Sequence, residues 1–180
     1  NDPRIEEIKN ERGTIREDIA YILDYKADQV ALIRSEINKN TLYYNGDLDY
    51  GNLTSAEGVL LPHRIKGYLD LSNLRSAKGL KLPEQIGGFL DLSNLRSAKG
   101  LKLPKQIDGS LILRDLISCE GLELPKKIGY NLNLNSLTSA KGLNLPYKIG
   151  GCLFLDRLKS AKYLNLSIEE DSDLSFLHHC

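Results

Sequence analysis

Fifteen residues, LDLSNLRSAKGLKLP, occupy positions 69–83 and again 90–104 without one change. The offset is twenty-one residues, and the chain keeps that step well beyond the duplicated stretch. Units begin at Gly46, Gly67, Gly88, Gly109, Tyr130 and Gly151 and run without insertion or deletion to Asp171. A fixed period of this size leaves few architectures open. Each unit is too short to bury its own apolar side chains, so neighbouring units must bury them, as coils of a solenoid do.

The columns of the repeat say which places face inward. Counting from Gly46, the third place is Leu in every unit, from Leu48 to Leu153, and so are the eighth and sixteenth. The fifth is Leu except for Tyr50, and the fourteenth is Leu except for Val59. The eleventh is Ala except for Cys119. The twentieth is Ile except for Glu170 in the last unit. Leu-x-Leu at places three and five alternates with period two and predicts a short strand. A second alternating stretch, Gly-Leu-x-Leu-Pro at places thirteen to seventeen, predicts another, ended by a Pro that has no N–H. Gly at thirteen suits a corner with positive φ. Gly-Gly at the unit boundary predicts a further tight corner.

Place ten is Ser in all six units (Ser55, Ser76, Ser97, Ser118, Ser139, Ser160). A nucleophile is needed once, beside a base. Six copies at one corner instead predict hydrogen bonds to the turn backbone. The partial column Asn52, Asn73, Asn94, continued by Asp115, Ser136 and Arg157, reads as a turn ladder.

Residues 1–45 lack the repeat. Asp2-Pro3 fits an N-cap and first helical residue. Thr14-Ile15-Arg16-Glu17 fits a capping box. Apolar residues at near-helical spacing predict helices over about 3–12 and 15–38 that cap the first coil. Ile8, Ile15 and Ile22 keep a seven-residue step, so these helices are also a candidate homodimer contact, although the step fails at Gln29. At the other end the sixth unit replaces Gly by Tyr163, Pro by Ser167 and Ile by Glu170, as a terminal repeat does. Residues 172–180 are expected to supply a capping strand and a tail. His178-His179-Cys180 reads as a polar tail rather than a metal site.

The pattern I-G-G-x-L-x-L-S-x-L-x-S-A-x-G-L-x-L-P resembles the short bacterial leucine-rich repeats, which also carry a Leu-Pro element after the strand. It departs from their usual consensus in placing Asn directly before Leu, as in Asn73-Leu74. The I-G-G-x-L-x-L segment is also similar to the β-helical ligand-binding domains of growth-factor receptors, which are disulfide-rich where this chain has three irregularly spaced Cys. The resemblance covers residues 46–171. It implies a parallel β-solenoid or shallow horseshoe with ligand binding over a broad surface; joined to the repeat count and the N-terminal helices, it makes the expected fold mainly β, a solenoid of six 21-residue coils behind a helical cap. It implies no catalytic residue.

Function is expected on the outward places. Places two, four and six share a strand face opposite the leucines. This face carries Asp49, Asp70 and Asp91 in one column beside Tyr68 and Phe89, followed by Ile112, Arg114 and Phe154. Aromatic and charged residues together suit a protein-binding surface, and these eight are the candidate partner-binding residues. Composition narrows the partner. With 24 basic and 24 acidic residues the formal net charge is zero, where a dedicated nucleic-acid binder carries a basic excess. No apolar run has the length of a membrane helix. No nucleophile–base pair, cofactor motif or metal-ligand set stands out, so the chain reads as non-enzymatic, with no cofactor and no metal. Cys119 lies inward and Cys152 outward, about two coils apart, beyond the ~7 Å Cα separation that a disulfide spans. A reducing compartment follows, the cytoplasm or the cytoplasm of another cell if the chain belongs to an effector.

The primary expectation is therefore a protein-interaction module working through its strand face. The alternative is a targeting or substrate-recognition segment of a larger multidomain enzyme or effector, suggested by a chain that contains no Met at all. Polysaccharide binding through Tyr68, Phe89 and Phe154 is a lesser alternative.

Overall fold

A computed structural model describes residues 43–160 and 162–164. The predicted helices at 3–12 and 15–38, the dimer contact assigned to them, the end of the sixth unit and the tail all lie outside the described residues. Within them the chain forms a succession of very short strands in two parallel sheets. The first sheet holds β1 (Tyr43–Tyr44), β3 (Arg64–Ile65), β5 (Gln85–Ile86), β7 (Gln106–Ile107), β9 (Lys127–Ile128) and β11 (Lys148–Ile149). The second holds β2 (Leu48–Asp49), β4 (Leu69–Asp70), β6 (Leu90–Asp91), β8 (Leu111–Ile112), β10 (Leu132–Asn133) and β12 (Leu153–Phe154). Every pairing joins residues twenty-one apart, as in Leu69 with Leu90 and Leu132 with Leu153. The chain is a parallel β-solenoid of about five turns.

The strand predicted at places three to five is present as β2 and its counterparts. The strand predicted at places thirteen to seventeen is not. The second sheet forms after the Pro, at places nineteen and twenty. The hydrogen bonds give the reason. The N–H at place fourteen turns back within its own coil to the carbonyl at place eleven, as in Leu80 to Ala77 and Leu101 to Ala98. It is therefore unavailable to the next coil. These are four-residue turns whose third residue is the place-thirteen glycine, with φ of 80° at Gly79 and Gly100. A type II turn requires positive φ at that position, which glycine adopts without strain. A matching turn returns the N–H at place eight to the carbonyl at place five, as in Leu74 to Leu71. Each coil thus has two hydrogen-bonded corners and two strands.

The glycines at the unit boundary lie in bends, as a tight corner requires, but their role there is steric. They take no left-handed conformation; they leave room for the coil before them. A Cβ on Gly129 would lie 1.8 Å from the carbonyl oxygen of Asp108, and one on Gly88 would lie 2.7 Å from the backbone of Gly67. Both neighbours are backbone and cannot swing aside. The requirement is local, since Tyr130 holds the first place of its coil and directs its ring to solvent.

The core is a ladder of like on like. Leu69, Leu90, Leu111 and Leu132 are fully buried, as are Leu71, Leu92, Leu113 and Leu134 beside them. Ile65, Ile86, Ile107, Ile128 and Ile149 line the other sheet. Tyr44 fills that same column one coil earlier, so the solenoid begins before Gly46. Among the described residues no polar or charged residue is buried as a whole. Such a core is held by hydrophobic burial of about 25 cal/mol per Å² and by strand ladders that satisfy the backbone.

The serine column behaves as predicted. Each hydroxyl accepts from the N–H two residues on: Ser76 from Lys78, Ser97 from Lys99 and Ser118 from Glu120, all at 3.2 Å. These bonds hold the bend between the two turns. The asparagine ladder is also present, with Asn94 Nδ2 donating to Asn73 Oδ1 at 2.9 Å and Asn73 Nδ2 donating to the Gly51 carbonyl.

Candidate strand-face surface

The outer face of the second sheet brings the candidate residues into three columns. Place four holds Asp49, Asp70, Asp91, Ile112, Asn133 and Phe154 on consecutive strands in register. The three carboxylates are not idle. Asp49 Oδ1 accepts from the Gly51 N–H at 2.9 Å, and Asp70 Oδ1 accepts from the Ser72 N–H at 2.8 Å. Asp91 Oδ1 accepts from both the N–H and the hydroxyl of Ser93. Asn133 repeats the bond to Asn135 at 3.1 Å. Each is an Asx turn that starts the corner after the strand. One carboxylate oxygen per residue is thereby committed to folding, a role that a reading of outward columns did not assign. Among the described residues no group of three or more His, Cys, Asp or Glu could hold a metal ion.

Place two carries a second device. Asp47 Oδ1 accepts from the N–H of Tyr68 in the next coil at 2.9 Å. Ser110 Oγ accepts from Asn131 at 3.2 Å, and Asn131 Oδ1 accepts from Cys152 at 2.8 Å. Between them, Tyr68 and Phe89 stack ring on ring, with centroids 4.5 Å apart and planes inclined by 5°. Because one ring covers the other, both are half-buried. The large apolar residues with more exposure, among them Ile117 and Tyr130, lie off this face. The Tyr68 hydroxyl is pushed above its ordinary pKa, first by desolvation and then by the carboxylates of Asp47, Asp49 and Asp70. It stays a neutral donor among acceptors.

Comparisons with protein-family models, with curated proteins and with solved structures each find no match.

Beyond the rings the face changes character. Ile112 and Phe154 replace Asp in the fourth column, both half-buried, and Arg114 stands exposed at place six. Five of the eight predicted residues (Asp49, Asp70, Asp91, Ile112, Phe154) thus lie on strands of the second sheet, acidic in the early coils and apolar in the later ones, while Tyr68 and Phe89 directly precede their strands and Arg114 sits in the turn that follows β8. The structure adds Asn135, which the sequence reading passed over. Its Oδ1 is buried with no hydrogen-bond partner, beside Asn131 and Asn133, whose own side-chain oxygens are both occupied. The signal was present in the alternation Asn131-Leu132-Asn133-Leu134-Asn135, but which of three asparagines stays unpaired is a matter of geometry.

Cys119 takes the alanine place in the core. It is buried and free, its Sγ lies 3.1 Å from the Lys141 carbonyl, and burial pushes its thiol pKa up. Cys152 is not bonded to it, as predicted from their separation, but is itself disulfide-bonded. Cysteine usage thus does not assign a reducing compartment.

Proposed function

We propose that the chain is a non-catalytic protein-interaction module that engages a partner protein through the outer face of its second sheet. The observation that carries this reading is the Tyr68–Phe89 stack, 4.5 Å between centroids, standing in a surround of Asp47, Asp49 and Asp70. Pre-ordered aromatic rings bring large contact area at little entropic cost, and aromatic residues dominate binding hot spots. The free carboxylate oxygens beside them favour a partner that offers Arg or Lys. Ile112 and Phe154 would extend the contact onto apolar ground.

The finer reading of these coils as leucine-rich repeats of the short bacterial type rests on the leucine columns and the Leu-Pro element. Against it stands the position of the second strand, after the Pro. The role of such a module as the targeting segment of a larger enzyme or effector is a wider form of the same proposal.

The test replaces Tyr68→Ala and Phe89→Ala together with Arg114→Glu, all outward residues outside the Asx turns. Circular dichroism checks the fold, and affinity capture followed by mass spectrometry reads the partners. Loss of specific partners with the fold intact supports the proposal. Undiminished capture shows that another surface binds. A glycan array run on both proteins separates the polysaccharide reading, which the flat stacked rings also suit.

A further inference from the structure

The duplicated stretch LDLSNLRSAKGLKLP holds more than the scaffold requires. Its leucines are core, its Ser and Gly are corners, its Asp starts an Asx turn and its Asn forms a ladder. Arg75, Lys78 and Lys81, and their copies Arg96, Lys99 and Lys102, have no such role. All six are exposed. None makes an ion pair with another described residue. They occupy places nine, twelve and fifteen of two adjacent coils, on the irregular side of the solenoid away from the strand face.

This grid has sharp borders. The same three places hold Thr54, Glu57 and Leu60 in the coil before, and Ile117, Glu120 and Glu123 in the coil after. Zero net charge therefore conceals strong segregation, with six cations packed into two coils and carboxylates on both flanks. A groove of about 320 Å³ opens at the place-nine border of the grid, lined by Arg75, Asn94, Arg96 and Asp115. The place-nine column of Arg75 and Arg96 continues into the next coil as Ile117, an exposed apolar side chain.

We infer that this strip binds a short, extended acidic peptide segment of a partner protein, carrying an apolar residue beside its carboxylates. The two rows of cations lie roughly 4.8 Å apart, the strand spacing. Six residues of chain separate the outer columns, so the strip is no longer than about 20 Å. Side chains on one face of an extended peptide recur about every 6.7 Å, so such a strip takes at most about four carboxylates. Arg75 and Arg96 flank the groove and suit the planar carboxylate. Ile117 offers the apolar contact. A nucleic acid gains its affinity by neutralising many phosphates along a line. Here such a line would soon meet Glu57 on one side or Glu120 and Glu123 on the other. A planar anionic membrane would meet the same carboxylates. The six cations lie apart from the strands, although the groove's Asp115 directly follows Arg114, and the inference does not rest on the function proposed above.

The experiment is fluorescence anisotropy on the full chain with a labelled glutamate-rich decapeptide containing one leucine. Parallel arms use labelled oligothymidylate and phosphatidylserine vesicles. The peptide is expected to bind most tightly of the three, with affinity falling as salt rises. Arg75→Glu with Arg96→Glu should weaken it about tenfold or more, since surface charge pairs are lost and opposed. Asp115→Asn, which removes the carboxylate from the groove, should strengthen it severalfold. Phe89→Ala should leave it unchanged. Absence of peptide binding at low salt overturns the inference. So does tighter binding of oligothymidylate or vesicles, or a peptide affinity that ignores both the Arg75/Arg96 and Asp115 changes.

Discussion

Two kinds of glycine hold this solenoid, and alanine should tell them apart. Gly100 has φ of +80°, and a Cβ there would have nothing within 4 Å. Gly100→Ala therefore costs only the left-handed strain, about 1–2 kcal/mol, less about 0.4–1 kcal/mol recovered from the stiffer unfolded chain. The net is about 1 kcal/mol. Gly129 has no positive φ, but its Cβ would stand 1.8 Å from the Asp108 oxygen. Relief means moving one coil off the other. That strains the bonds from Gly129 to Ile107 and from Tyr130 to Gly109, each 3.0 Å. At about 0.5–1.5 kcal/mol per hydrogen bond, with about 1–3 kcal/mol for overpacking, Gly129→Ala should cost about 3 kcal/mol or more. Urea denaturation followed by circular dichroism measures both, with the midpoint expected to shift at constant slope for Gly100→Ala. Gly100→Asn is the control, because Asn tolerates the left-handed region better than Ala. If Gly100→Ala costs as much as Gly129→Ala, or Asn does worse than Ala at position 100, the division into turn glycines and contact glycines is wrong.

Three further outcomes follow from the geometry. A double-mutant cycle on Tyr68→Ala and Phe89→Ala should give a stability coupling of about 0.5–1.5 kcal/mol for the stacked rings, and additive effects would show that the stack contributes nothing. Tyr50 is half-buried, and its hydroxyl has its pKa raised, by desolvation first and then by Tyr44. The folded state thus keeps a proton that the unfolded chain releases, so this stability is complete below the ordinary tyrosine pKa of about 10 and is lost as pH rises beyond it. Above about pH 10 the native protein should lose up to about 1.4 kcal/mol per pH unit more than Tyr50→Phe, a difference readable from urea midpoints at several pH values. Cys119→Ala should stay within about 1 kcal/mol of the parent in thermal denaturation, because four of its neighbours in the column are Ala already (Ala56, Ala77, Ala98, Ala140).

The period and the inward columns were readable from sequence because stacking like on like writes itself into spacing. Leu69, Leu90 and Leu111 could be assigned to the core from position alone. The serine column was readable for the same reason, since one local bond repeated six times leaves one letter repeated six times. The second strand was not. Leu80 and Leu82 alternate as strand residues do, yet the turn bond from Leu80 to Ala77 takes the N–H that a ladder would need. Alternation records which way a side chain points and not where its N–H goes. The candidate face was found in part. Asp70 and Asp91 were assigned to a partner because they point outward, whereas each also starts a turn. The Tyr68–Phe89 contact needed the register between coils to be known before two residues twenty-one apart could be seen as touching.

The in-register pairing of identical stretches has a consequence for how such a chain can change. Leu69 pairs with Leu90 and Asp70 with Asp91, inside a sequence that is the same on both strands. Removing one copy with its twenty-one-residue step would rejoin Tyr68 to Leu90 and leave a seamless coil, with every corner, turn bond and core contact met by the residues already there. Adding one would lengthen the rod by roughly 4.8 Å, one strand spacing. The gene can therefore alter the length of the protein, and the number of aspartates in its place-four column and of cationic rows it displays, by unequal exchange between its own repeats. A point mutation in this fold risks a cavity or a clash, but a whole coil can come or go without either.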